Sequence, residues 1–176
     1  TDVSDNTLDA LGCVGDGDNA VCYGPGAKAT GTNATALGAY STADATGATA
    51  TGAGATASGE QSVAVGQLSK ALGKQSTALG SEASAQGTDA IAVGRQALAD
   101  GTDVMALGRG AAANGFDTVA IGSQSTTSGR NAMAFGVQSF ADGTDVMALG
   151  AGARAAGSRA TAVGVGATTT RNNQVM

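Results

Sequence analysis

The side chains able to do chemistry in this chain are two cysteines, a set of periodic aspartates and a pair of arginines. Cys13 and Cys22 are the only cysteines, and histidine is absent. Two thiols without an imidazole make no credible zinc site, because zinc takes four nitrogen or sulfur ligands. They read as a disulfide, with a pair of buried thiols as the alternative. A bridge closing so short a loop would contribute roughly 2.5–3 kcal/mol in the loop-entropy model and would imply an oxidising compartment. Asp89, Asp103 and Asp117 recur at intervals of fourteen residues, and Asp145 stands two intervals further on. Stacked, they would repel one another and attract a cation, or they are solvated turn residues, a role that suits Asp. Arg95 and Arg109 share the interval and would either meet an anionic glycan or balance charge. No acid–base pair is clustered and no nucleophile has a base beside it, so the chain is not expected to be an enzyme. Neither a metal nor a cofactor is expected.

The elements that position these residues are set by glycine. Stepping by seven from Gly17 to Gly164 meets 22 positions, of which 21 are Gly and one is Ala45. A Gly at every seventh residue marks a tight turn at every seventh residue. The five or six residues between are enough for a strand and too few for a helix. Their content of Val, Ile, Thr, Met and Leu alternating with Ala agrees. The true period is fourteen, because Thr102 to Gly108 returns letter for letter as Thr144 to Gly150, three periods later. Each coil therefore has two unlike strands and two turns. Coils stacked at about 4.8 Å would make a rod of roughly 50 Å, each strand pairing in parallel with its equivalents in the coils on either side.

Composition excludes an ordinary globular domain, a disordered chain and a membrane span. Aromatic residues are 3% and Trp is absent, so an ordinary globular core cannot be filled. A disordered chain would not keep a seven-residue register over such a length. No apolar run is long enough to span a membrane and no secretory leader is evident. The chain starts at Thr1 and reads as a fragment. The net charge of −5, without a basic stripe or stacking aromatics, argues against nucleic acid. Three segments are expected. Residues 1–16 form an acidic lead-in or cap, residues 17–167 the repeat array, and residues 168–176 a tail that leaves the glycine register.

Alternation along the strands decides which side chains face inward. One parity is small on both strands: Ala90 and Ala92, Val104 and Ala106, Ala97 and Ala99, Ala111 and Ala113. Cys22 falls in this parity, in a slot that is Ala in ten later coils, and Cys13 takes the matching inward slot one strand earlier. The other parity mixes large apolar residues on the first strand with Asp100, Asn114 and Asp142 on the second, and burying those unpaired would be costly. The small residues therefore line a thin interior. The first strand then presents a ribbon outside: Val63, Val65, Leu79, Ile91, Val93, Met105, Leu107, Val119, Ile121, Met133, Phe135, Met147, Leu149 and Val163. A monomer should not expose so long an apolar surface, so the ribbon is expected to be an oligomer interface between parallel rods around a cyclic axis. The Thr-rich stretch 30–58, with Thr35, Thr49, Thr51 and Thr56, is expected to be the least apolar part of that ribbon. A water-ordering Thr array is disfavoured because the column does not persist.

The unit Gln61-Ser62-Val63-Ala64-Val65-Gly66-Gln67-Leu68-Ser69 resembles the repeat of the YadA-like heads of trimeric autotransporter adhesins. Phe116 to Ser125, with Val119-Ala120-Ile121-Gly122 at its centre, matches as well, and the resemblance covers residues 17–170. It implies an all-β fold, a left-handed parallel β-roll (solenoid) of fourteen-residue, two-strand coils assembled as a homotrimer. It also implies display on the surface of a Gram-negative bacterium, with outer-membrane attachment through a C-terminal stalk and anchor outside this chain. Residues 168–176 would begin the neck. The implied function is attachment to host extracellular matrix, host cells or other surfaces, and the partners are host matrix or cell-surface macromolecules. A structural spacer that projects a separate binding tip is the alternative. The repeat positions tied to matrix binding in the family would correspond to Ser62, Val63, Ala64 and Val65, or to Val119, Ala120 and Ile121. Parity buries several of these, so they are expected to hold the roll together, and the ligand-binding residues stay unknown. Hexapeptide acyltransferases have period six and use a His, and repeat-in-toxin rolls need a nine-residue glycine–aspartate pattern; neither fits.

Overall fold

The computed structural model describes residues 12 to 176, so residues 1–11 of the expected lead-in lie outside the described residues. Every regular element among the described residues is a β-strand. There are twenty, of which Thr126–Phe135 and Phe140–Leu149 each run through a corner and serve both walls, so the chain makes eleven coils. We call the two strands of each coil the ribbon strand and the polar strand. Val63–Val65, Thr77–Leu79, Ile91–Val93 and Met105–Leu107 are ribbon strands. Lys70–Ala71, Ser84–Ala85 and Leu98–Thr102 are polar strands.

Pairing is parallel at an interval of fourteen throughout. Val63, Ala64 and Val65 lie beside Thr77, Ala78 and Leu79, which in turn lie beside Ile91, Ala92 and Val93. On the other wall Ser84 and Ala85 lie beside Leu98 and Ala99. This register lets the same residue type meet itself in coil after coil, which is how a repeat specifies a solenoid. The interior is a double file of Ala at or near zero exposure, including Ala64, Ala78, Ala92, Ala106, Ala120 and Ala134 on the ribbon wall and Ala71, Ala85 and Ala99 on the polar wall. Its largest members are Val104 and Val146, both next to a corner. Mostly methyl-sized side chains bring the two walls close, and the Ala file of the polar wall also takes Thr127 and Thr169 fully buried.

The corners explain the glycines in two ways. In the first corner, after the ribbon strand, Gly66 has φ +127° and Leu68 two residues on has φ +56°. In the second corner, after the polar strand, Gly73 keeps an ordinary φ, but a Cβ there would overlap the Gly87 carbonyl of the next coil. Ala45 occupies a second-corner position among the earlier coils, where Gly31, Gly59, Gly73 and Gly87 also keep ordinary φ; from Gly101 onward the same corner takes positive φ, at Gly101, Gly115, Gly129, Gly143 and Gly157. The left-handed turn of the second corner falls two residues later, on Asn19, Asn33, Gln61, Gln75, Asp89, Asp103, Asp117, Asn131 and Asp145.

Three expectations change. The glycine spacing predicts a break at every seventh residue, but Thr126–Phe135 and Phe140–Leu149 pair continuously through Gly129 and Gly143, because both strands bend together in register. Thr56 is not on the ribbon: Thr35 and Thr49 stack there under Val63, whereas Thr56 sits on the polar wall between Thr42 and Lys70. Loss of the glycine register after Gly164 does not end the coil, since Thr168–Thr169 pairs with Arg154–Ala156 and Thr161 bridges Val175. Reading residues 168–176 as the start of a neck is therefore a proposal.

Candidate functional site

Each coil presents four exposed features: the ribbon wall, the polar wall and two corners. The ribbon strands alternate inward Ala with two outward residues, so Val63 and Val65, Ile91 and Val93, Met105 and Leu107, Val119 and Ile121, Met133 and Phe135 all point away from the interior. Within the single chain they are half-buried to exposed, and Leu149 and Val163 reach 44% and 51% exposure. Leu79 and Met147 join the same file through their registers with Val93 and Met133. The file is mainly apolar from Val63 to Val163, with Thr77 and Thr161 interrupting it, and it turns to Thr in the earlier coils at Thr35, Thr49 and Thr51. Beside it, Asn131, Met133, Asp145, Met147 and Thr161 line a shallow open notch of about 280 Å³, made where Thr161 replaces the larger residues stacked beneath it.

The polar wall carries a feature that composition did not reveal. Arg154 lies over the ring of Phe140, its guanidinium carbon 4.1 Å from the ring centroid, and just beyond the wall, in the second corner, Arg130 lies 5.9 Å from the ring of Phe116. Both are cation–π contacts between neighbouring coils. The fourteen-residue interval between partners, 116 to 130 and 140 to 154, was the available signal.

Asp89, Asp103 and Asp117 do stack in one corner column. All adopt left-handed backbone, the region in which Asp and Asn are enriched, so corner geometry accounts for them without a ligand. Further along the column the amide of Asn131 donates to Asp145 at 2.8 Å. Among the described residues no group of three acidic, cysteine or histidine side chains converges as a metal site. Arg95 and Arg109 are exposed in the first corner, at the opposite end of the ribbon strands from the aspartates.

The repeat positions singled out for matrix contact divide by parity. Ser62, Ala64 and Ala120 are fully buried, whereas Val63, Val65, Val119 and Ile121 belong to the ribbon. Cys13 and Cys22 are both buried, are joined as a disulfide with Cα atoms 6.1 Å apart, and cross the interior between the polar-strand and ribbon-strand sides at the first coil. Among the described residues these surfaces are repetitive in residue type and spacing, coil after coil.

The model of the YadA head domain repeat matches residues 16–41, 29–55, 57–83, 85–111, 113–139 and 128–153. The chain belongs to the YadA head repeat family. Its two-wall coil is the structural unit behind those matches, and head domains of this family are adhesin domains, not enzymes. A solved structure, the collagen-binding domain of the Yersinia adhesin YadA, is 28% identical, is matched over 98% of this chain and 76% of that chain, and superposes with a TM-score of 0.39. Among curated proteins no sequence matches.

Proposed function

We propose that this YadA-type head is the adhesive part of a bacterial surface fibre, assembled as a parallel homotrimer and attaching the cell to extracellular matrix or cell-surface macromolecules. The observation that carries the reading is the long, mainly apolar ribbon from Val63 to Val163, in a chain of the YadA head family. Burying one Val, Leu or Ile of the ribbon is worth about 1.5–3 kcal/mol, so a file of this length favours association strongly. Covered ribbons leave the polar walls outward, and these become the surface available to a ligand. Display is on the outer surface of a Gram-negative cell, held there through further segments that join the membrane.

The test is saturable binding of the purified chain to immobilised fibrillar collagen, fibronectin and laminin. Binding that is lost on Phe140→Ala with Arg154→Ala, while the solution mass stays that of the oligomer, supports adhesion through the polar wall. Absence of saturable binding to all three, by a chain with the oligomer's mass, overturns the adhesive reading in favour of a spacer.

A further inference from the structure

Asp89, Ile91–Val93 and Arg95 follow one another across a single coil, and Asp103, Met105–Leu107 and Arg109 repeat the arrangement in the next. The acid sits at the second corner and the arginine at the first, at opposite ends of the ribbon strand and roughly 15–20 Å apart along an extended chain. They cannot pair within the chain. Each corner instead stacks like charges at about one coil spacing, an arrangement that is destabilising if left alone. Elsewhere the roll relieves such stacks between adjacent coils: Lys74 pairs with Glu60 at 3.1 Å, Gln96 donates to Glu82 at 3.0 Å, and Asn131 donates to Asp145 at 2.8 Å. Lys74–Glu60 is the only ion pair among the described residues.

Building on the proposed parallel oligomer, we infer that these corners complete each other between copies. The Arg95–Arg109 corner of one chain seats against the Asp89–Asp103–Asp117 corner of the next. Rotation about an axis parallel to the rod turns the ribbons inward and brings the first corner of each copy to the second corner of its neighbour at the same height, a heterologous contact. A two-fold axis along the strand direction would instead bring like corners together, Arg toward Arg, at inverted heights. The charges therefore select parallel rods and fix their vertical register. The upper coils agree. There the first corner turns apolar, with Val137 and Val165 52% and 85% exposed. These valines stand at the heights of Met133 and Thr161, which line the notch beside the second corner.

The experiment uses the full chain carrying both Arg109→Cys and Asp103→Cys, treated with a short bismaleimide and run on a denaturing gel beside each single variant. The expected result is covalent product at the mass light scattering gives for the native assembly, from the double variant alone. Cross-linking by Arg109→Cys alone, or none from a double variant that is still oligomeric, overturns the inference. A second comparison does not depend on the cross-linker. Arg95→Glu with Arg109→Glu should weaken association roughly tenfold or more, since like charges then face one another. Adding Asp89→Arg and Asp103→Arg to the same chain should restore it. No weakening by the one-sided exchange, or no recovery in the swapped chain, sinks the corner contact. A native chain that is monomeric sinks the oligomer itself, which is a separate failure.

Discussion

Gly66 and Gly152 both have positive φ, at +127° and +66°, but their surroundings differ. A Cβ on Gly66 would come within 2.6 Å of the Gly80 carbonyl, whereas one on Gly152 would meet nothing within 4 Å. Gly152→Ala should therefore cost only the left-handed backbone, about 1 kcal/mol. Gly66→Ala adds an overlap with backbone that cannot move aside and should cost about 2–5 kcal/mol. Urea unfolding of the two variants checks the order. The buried hydroxyls offer a second contrast. Ser69 donates to the Gly66 carbonyl at 2.8 Å, whereas Ser62 has no partner in its buried slot. Ser69→Ala should lose about 1 kcal/mol, and Ser62→Ala should be neutral or stabilising, because an unpaired buried hydroxyl is removed. Equal losses in the same urea experiment would count against this account.

A coil touches only the coils beside it, so stability in a solenoid is local and its ends are its weak points. The Cys13–Cys22 bridge spans nine residues of sequence, and in the loop-entropy model it contributes roughly 2.5–3 kcal/mol, all of it at the first coil. Reduction should raise amide exchange in residues 13–37 and leave the middle coils, such as Ile91–Val93, unchanged. A uniform rise would show that the coils open as one unit. How much of the coil can be read from sequence depends on what repeats. The inward Ala files, the outward ribbon and the fourteen-residue register follow from alternation and from the glycine spacing, and Ala92 and Val93 stand where that reasoning puts them. Reading the Thr-rich stretch by composition puts Thr56 on the wrong wall, because composition has no parity. The left-handed column through Asp89, Asp103 and Asp117 shows in the sequence as a charge pattern, and only the backbone reveals that φ accounts for it. Phe140 and Arg154 escape a reading of the sequence because each is ordinary in its own coil and becomes a pair only through stacking.

For the whole molecule the question is what covers the ribbon. Leu107 and Ile121 lie mid-rod and half-buried in the single chain, where a charge in place of either would still reach water. In the proposed trimer the same position faces the axis, and a carboxylate from every copy would be brought together out of water, at a cost of several kcal/mol per ion. Leu107→Asp should therefore leave each roll folded, with its strand circular dichroism intact, while light scattering falls to the single-chain mass of 16.6 kDa. Leu72→Asp is the matched control. Leu72 is as apolar and is 42% exposed, but it stands on the polar wall, so the assembly should keep its mass. Dissociation by both variants would mean that both walls are interfaces. Dissociation by neither would place the subunit contact at the corners, and the ribbon would then have to be counted as surface open to a ligand.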